Sequence, residues 1–179
     1  MIYFEDEHVR IRPMQPGAPA SFTQAKRAQG WHATPDTMEM RLAHEAQGLC
    51  TTFVAEYDGE RAGYIYVYWK QKTGPFAHTD MPEIVDFAVL EKFQRRGIGG
   101  KLMDAAEKCA ASRCDCVYLG VGLHSGYGSA QRMYVQRGYI PDGSGVWYQD
   151  RVHEQYAPCV NDDDLVLYLL KRFSGNLAK

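Results

Sequence analysis

The apolar run Ile84-Val85-Asp86-Phe87-Ala88-Val89 is followed, after four residues, by Gln94-Arg95-Arg96-Gly97-Ile98-Gly99. The first stretch is short and mostly apolar, which is typical of a central strand. Beyond the glycines, apolar residues recur at helical spacing up to about Ser112. The sequence therefore predicts a strand and a helix that are joined by a glycine turn.

A glycine turn at the amino terminus of a helix forms a local anion-binding site. Glycine lets the backbone come close to a ligand, and unpaired N–H groups point outward at the positive end of the helix dipole. Arg95 and Arg96 place two cations at the same entrance, which suits a diphosphate. We expect this turn to bind phosphate in a chain whose net charge is only -2.

Two common nucleotide motifs do not fit the turn. A dinucleotide-binding fold requires a third glycine three residues beyond Gly99, but that residue is Leu102. A P-loop requires Ser or Thr after the lysine, but Lys101 is also followed by Leu102. The turn belongs to neither class.

The rest of the chain is predicted to alternate between strands and helices without an internal repeat. The Asp58-Gly59 pair between two β-rich runs indicates an antiparallel hairpin. The predicted strands are Val9–Arg12, Thr51–Tyr57, Ala62–Trp69, Ile84–Val89, Val117–Val121, Tyr139–Ile140, Val146–Tyr148 and Leu165–Leu170. The further predicted helices are Ser21–Gln29, Asp36–Gln47 and Ser129–Arg137, and the predicted loops are Lys72–Pro82 and the polar stretch Asp150–Asp164. This order predicts one mixed α/β domain over residues 1–179.

Composition limits the partners and the compartment. With a pI near 6.3 and a net charge of -2, the chain has no global basic field that would favour nucleic acid or an anionic membrane. The sequence lacks a signal-peptide pattern and an apolar run near the ~20 residues that span a bilayer. Five irregularly spaced cysteines do not form a disulfide framework. Cys114-x-Cys116 is too close for the usual zinc pair, so we expect a cytoplasmic protein that holds no metal.

Three segments carry a resemblance to a known family. Val89 to Gly99 resembles in full the coenzyme A signature of the GNAT superfamily of N-acetyltransferases, Gln/Arg-x-x-Gly-x-Gly/Ala, with an aromatic residue before the glutamine. Ala130 to Tyr139 resembles the Ala-x-x-x-Tyr-x-x-x-Gly-Phe/Tyr helix of the family, and Ile11-Arg12-Pro13 resembles the end of its first strand. The similarity covers about residues 51–140. It implies a single-domain acyl-CoA N-acyltransferase fold of the α+β type, with a mixed, mostly antiparallel sheet of about seven strands and about four helices.

The resemblance implies that acetyl-CoA is the acyl donor. In the family, backbone amides of the turn hold the diphosphate, and the central strand pairs with the amides of the pantetheine arm, much as an added strand would. The cofactor-binding residues carried over are Phe87, Ala88, Val89, Gln94, Arg95, Arg96, Gly97, Ile98, Gly99 and Gly100.

The resemblance also implies two catalytic residues. Tyr134 matches the tyrosine that protonates the departing thiolate, a step that a phenol of pKa about 10 can perform. Glu83 lies four residues before Phe87, the offset of the general-base glutamate in the histone-acetylating branch. Asp86 is a second carboxylate whose side chain is expected on the opposite face of the strand. Two histidines, His78 and His124, are further candidates for the base.

The acceptor implied by the resemblance is a primary amine of a small molecule or a protein, acetylated directly in a ternary complex. Its pocket would be built by the first two helices, the loop before the central strand and the last strands. These elements carry Trp31, His32, Phe76, His78, Trp147 and Tyr148. Homodimers are common in the superfamily.

Some questions stay open in the sequence. Tyr127 occupies a position where the family often has an asparagine that contacts the cofactor. A non-catalytic acyl-CoA-binding sensor is the main alternative function, and a general nucleotide-binding domain is a weaker one.

Overall fold

The computed structural model describes residues 1–173, which form nine strands and four helices. The strands are β1 Phe4–Glu5, β2 Val9–Arg12, β3 Cys50–Tyr57, β4 Glu60–Tyr68, β5 Glu83–Val89, β6 Cys116–Gly122, β7 Ile140–Tyr148, β8 Arg151–Val152 and β9 Leu165–Arg172. The helices are α1 Ala18–Ala28, α2 Asp36–Ala46, α3 Ile98–Ala111 and α4 Gly128–Gln136. The mixed fold with a mostly antiparallel sheet and four helices is confirmed, but the strands number nine rather than about seven.

The chain is divided into two compact units. The first comprises Met1–Tyr68 and Val85–Cys109, and the second comprises Trp69–Ile84 and the chain from Ala110 onward. Of the residues of β5, Glu83 and Ile84 are assigned to the second unit and the others to the first.

In the first unit the strand order is β1-β2-β3-β4-β5. The β3–β4 hairpin has the expected tight turn, in which Asp58 and Gly59 both have positive φ, 49° and 82°. Such angles match the right-handed twist of the strands that they connect. Fully buried residues such as Phe53 and Ile65 form the core of this unit.

The helices of the first unit begin and end close to the predicted residues. Helix α2 begins at Asp36 as expected, whereas α1 begins at Ala18, three residues before the predicted start at Ser21. Pro19 lies in the first turn of α1, where a missing N–H costs nothing. The first turn of α1 therefore includes a proline that the predicted start at Ser21 left outside the helix.

In the second unit the strand order is β5-β6-β9-β7-β8, with β5 parallel to β6 and the other pairs antiparallel. Tyr139–Ile140 and Val146–Tyr148 were predicted as separate strands, but a single strand β7 runs from Ile140 to Tyr148. Its pairing with β9 is irregular between Pro141 and Val146. Pairing with β9 on both sides of the irregularity keeps the intervening turn-forming residues within the strand.

The polar stretch Asp150–Asp164 is not wholly a loop. Arg151 and Val152 form β8, which pairs with the end of β7 through Trp147 and Tyr148. A strand of two residues is too short to show alternation in the sequence. Within the described residues, no helix is long and apolar enough to cross a membrane.

Candidate cofactor and active site

The predicted phosphate turn lies directly before α3. Arg95 and Gly97 have positive φ, 59° and 76°, and the N–H of Lys101 donates to the carbonyl of Gly97 at 3.2 Å as the first helical bond. The amides of residues 98–100 precede that bond and so lie at the open end of the helix. A Cβ on Gly100 would meet no atom within 4 Å. The turn therefore offers several N–H groups and free space around them.

A side-chain hydrogen bond of Gln94 stabilises the turn. Its Nε2 donates to the carbonyl oxygen of Val89 at 3.1 Å, which ties the turn back to the end of β5. On the helix side, a Cβ on Gly99 would lie 3.1 Å from Cζ of Phe87. The Phe87 side chain thus packs against the turn.

Cationic side chains surround the turn. The Arg96 guanidinium lies 4.9 Å from the centroid of the Tyr57 ring, and Lys101 Nζ lies 2.8 Å from a carboxylate oxygen of Asp6. That hydrogen bond, with one from the Val9 N–H, lowers the pKa of Asp6 to about 2. These five residues line a cavity of about 490 Å³ together with Glu7 and His8. In the sequence Lys101 was compared only with the P-loop motif, although its place one turn into the predicted helix puts its cation near the glycine turn.

Gly63 on β4 allows a close approach to β5. A Cβ at this position would lie 2.6 Å from the carbonyl oxygen of Ala88 and 3.1 Å from Cγ2 of Val89. Only glycine therefore lets β4 sit this close to the strand that was predicted to contact the pantetheine arm. Gly63 was not identified from the sequence, because a lone glycine in a strand has several explanations.

Asp86 interrupts the regular geometry of β5. It has a φ of 49°, a conformation that non-glycine residues rarely adopt. Arg41 of α2 donates from Nε at 2.9 Å and from Nη2 at 2.6 Å to one carboxylate oxygen of Asp86. The same guanidinium lies 4.7 Å from the centroid of the Tyr68 ring. Asp86 is thus part of a charge pair, and Arg41 was missed because it lies 45 positions away in the sequence.

Glu83 lies beside an aromatic cluster in the second unit. The rings of Phe76 and Tyr118 are 4.7 Å apart, and those of Tyr118 and Tyr168 are 6.1 Å apart. Burial raises the pKa of Tyr118 well above its usual value, and the nearby Glu83 carboxylate raises it further. Trp147 packs edge-on against Tyr168 at 5.4 Å. Three predicted residues, Glu83, Phe76 and Trp147, are therefore brought into one neighbourhood.

Other residues of the predicted acceptor pocket lie elsewhere. Trp31 and His32 line a separate cavity of about 430 Å³ in the first unit, beside the end of α1. Tyr148 packs against His153 at 5.7 Å, and His78 lies in the Lys72–Pro82 loop with a φ of 62°.

Tyr134 lies on α4 with only 6% of its surface exposed. Burial raises its pKa well above the usual range, and the neighbouring Tyr127 contributes. Its ring packs against Tyr139, with centroids 5.8 Å apart. The phenol is therefore fully protonated at neutral pH and can act only as a proton donor or a hydrogen-bond partner.

Tyr127 and His124 share one carboxylate. The Tyr127 hydroxyl donates to Oδ1 of Asp163 at 3.0 Å, and His124 Nε2 lies 3.0 Å from the same oxygen. The Gly126 N–H donates to Nδ1 of His124, which places the proton of the neutral ring on Nε2. Both nitrogens of His124 are engaged, and the two hydrogen bonds lower the pKa of Asp163 below its usual value. Asp163 was not identified in the sequence, where it belongs to a run of acidic residues.

The predicted residues thus fall into two sets. Those predicted to bind the cofactor, Phe87 to Val89 and Gln94 to Gly100, belong to the first unit, whereas Tyr134 and Glu83 belong to the second. Together, the fold and the turn define a mixed α/β protein in which the predicted phosphate turn lies between the central strand β5 and helix α3.

The chain belongs to the acetyltransferase (GNAT) family, whose sequence model matches residues 19–139. An acetyltransferase of this family from Streptococcus pneumoniae is 16% identical, with a TM-score of 0.64 over 93% of this chain and 99% of that chain. The ribosomal-protein-S18-alanine N-acetyltransferase from Escherichia coli is 13% identical, with a TM-score of 0.67 over 95% and 97%.

A third similar structure contains the cofactor. It is the ribosomal L7/L12 alpha-N-protein acetyltransferase RimL in complex with coenzyme A, 12% identical, with a TM-score of 0.68 over 97% of this chain and 98% of that chain. At such identities the structures establish the shared fold. No curated protein sequence matches the chain significantly.

Proposed function

We propose that this protein transfers an acetyl group from acetyl-CoA to a primary amine by direct attack in a ternary complex. The proposal combines its membership of the acetyltransferase family with the phosphate turn before α3. The whole chain would act as one domain, since the family match at residues 19–139 includes parts of both compact units.

The observation that carries the proposal is the open end of α3. The amides of residues 98–100 precede the first helical bond, Gly97 has the positive φ that shapes the turn, and Arg95 and Arg96 supply positive charge. Amides and cations of this kind bind a diphosphate. Beside the turn, the backbone of Phe87 to Val89 supplies peptide groups for the pantetheine arm.

Tyr134 would act as the general acid. When the amine attacks the thioester carbonyl, the C–N bond forms, the C–S bond breaks, and the departing sulfur takes a proton. Tyr134 is protonated at neutral pH, because a phenol has an ordinary pKa of about 10 and burial raises the pKa of Tyr134 further. A protonated phenol at the sulfur would stabilise the leaving thiolate.

Glu83 would accept the proton that the attacking amine loses. Its carboxylate lies near the buried hydroxyl of Tyr118, in an aromatic neighbourhood that includes Phe76. Asp86 is the weaker candidate for this role, because Arg41 already pairs with its charge. The similar structure from Escherichia coli is named for acetylation of a protein alanine, which supports a protein amine as one acceptor class beside small amines.

The remaining features of the proposal concern the surroundings of the enzyme. We expect the enzyme to act in the cytoplasm and to transfer the acetyl group without a metal. A homodimer is the expected oligomeric state, because homodimers are common in the superfamily. Its net charge of -2 does not favour nucleic acid or membrane partners.

The function is tested by release of free coenzyme A thiol from acetyl-CoA with a mixed panel of amines and amino-terminal peptides. We expect turnover with at least one amine above the rate without amine. Calorimetric binding of coenzyme A without turnover across a broad panel would favour the sensor. Stabilisation by ATP or NAD but not by coenzyme A would favour a general nucleotide-binding domain.

A variant of the turn links the activity to the predicted site. Gly100→Leu adds a side chain where the structure has open space, and leucine is the better helix former by about 0.8 kcal/mol. The variant should keep or raise the melting temperature, whereas its bulk at the helix end should weaken coenzyme A binding. If Gly100→Leu binds coenzyme A with unchanged affinity, the phosphate turn is not part of the cofactor site.

A further inference from the structure

Three side chains with metal-ligand atoms meet at the turn between α3 and β6. The Sγ atoms of Cys114 and Cys116 are 3.7 Å apart, and a carboxylate oxygen of Asp115 lies 3.9 Å from Sγ of Cys114. All three ligand atoms lie within 4.8 Å of one another. The proposed acetyl transfer uses none of these residues.

The backbone fixes each of the three residues. The Cys114 N–H donates to the carbonyl of Ala110 at 3.0 Å, and the Asp115 carbonyl accepts from the N–H of Phe173 at 2.8 Å. Cys116 begins β6 and pairs with Arg172 of β9. A chelating group whose backbone is already ordered loses little conformational freedom when it binds an ion.

The sulfur separation is that of a metal chelate. Two sulfur atoms bound tetrahedrally to zinc, each at about 2.3 Å, lie about 3.8 Å apart. The observed 3.7 Å allows one ion to contact both atoms with little movement. Cys-x-Cys is shorter than the usual zinc pair, but here the intervening Asp115 supplies a third donor.

We infer that Cys114, Asp115 and Cys116 bind one thiophilic divalent cation of the zinc class. Thiolates select such ions over magnesium and calcium. Cys116 is buried, Cys114 is half-buried and Asp115 is exposed, so the fourth position of the ion faces solvent and takes water. On binding, two metal–sulfur bonds form, two S–H bonds break, and both protons pass to solvent.

To test the inference, the reduced chain of residues 1–179 is titrated with metal ions in oxygen-free buffer. Zn²⁺ is added in competition with a chromogenic chelator, and Cd²⁺ is added while sulfur-to-metal charge-transfer absorption is recorded. We expect one ion per chain and the absorption of a dithiolate complex. Zn²⁺ should also raise the melting temperature, since it binds only the folded site.

Variants separate this site from adventitious binding. Cys114→Ser should lose the competition with the chelator and the zinc-dependent rise in melting temperature, and Asp115→Asn should weaken binding but keep the charge-transfer band. Cys159→Ser, which changes an exposed cysteine elsewhere, is the matched control and should bind as the unchanged chain does. Cys116→Ala is the corresponding variant of the second cysteine. Alanine is used because Cys116 is buried, and alanine removes the sulfur without adding a polar group.

The inference is overturned if the unchanged chain competes for Zn²⁺ no better than Cys114→Ser. It is also overturned if Cys159→Ser alone abolishes binding, because the exposed cysteine would then hold the ion. Neither outcome depends on acetyl transfer, so the result is independent of the proposed enzyme activity.

Discussion

Replacing Gly63 with alanine tests whether the close approach of β4 to β5 shapes the cofactor strand. The new Cβ would lie 2.6 Å from the Ala88 carbonyl oxygen, whereas real contacts of this kind essentially never fall below 3.0 Å. The Ala88 backbone must therefore move by at least about 0.4 Å. Val89 and Leu102, at 3.1 and 3.2 Å from the new atom, leave little room for the movement.

The expected loss of stability follows from two opposing effects. Overpacking of this kind costs about 1–3 kcal/mol, and the reduced freedom of the unfolded chain returns about 0.4–1 kcal/mol. From the middle of each range we expect a net loss of about 1.3 kcal/mol, or a fall in melting temperature of about 3–5 °C for a chain of this length. Coenzyme A affinity should also fall, because Ala88 is in the strand proposed to hold the pantetheine arm.

Thermal unfolding and calorimetric titration with coenzyme A measure the two effects. Gly128→Ala is the matched control, because its new Cβ would meet nothing within 4 Å and its φ of -55° is helical. The control should be neutral or slightly stabilising. The reasoning about this close contact is refuted if Gly63→Ala has the same melting temperature as the control and binds coenzyme A as tightly as the unchanged chain does.

Three further changes probe the remaining groups. Tyr134→Phe should lower turnover with a modest change in coenzyme A affinity, and full activity would end its assignment as the acid. Arg41→Lys removes the two-donor contact with Asp86, and urea unfolding should show a loss of about 1 kcal/mol; no loss would mean that the pair is not stabilising. Asp163→Asn removes a carboxylate whose lowered folded pKa stabilises the protein above about pH 4. Because Asp163 is largely exposed, the loss at pH 7 should stay below about 1 kcal/mol, and it should vanish as the pH falls through that pKa; a loss that persists in acid would contradict this account.

Local patterns were sufficient for most of the elements. The hairpin at Asp58-Gly59 and the start of α2 at Asp36 agree with expectation because turn chemistry and helical spacing act between near neighbours. Strands β1 and β8 were missed because two residues show no periodicity. The continuous β7 was missed because its course depends on pairing with β9.

The glycine turn from Gln94 to Gly99 and the Tyr134 helix, and with them the family, could be predicted from the sequence alone. Those signals lie in contiguous residues whose backbone conformations are set locally. Contacts between distant positions, such as Arg41 with Asp86 and Gly63 against Ala88, become visible in the folded chain. Which residues meet in such contacts depends on how the strands and helices pack. That packing cannot be deduced from the spacing of residues along the chain.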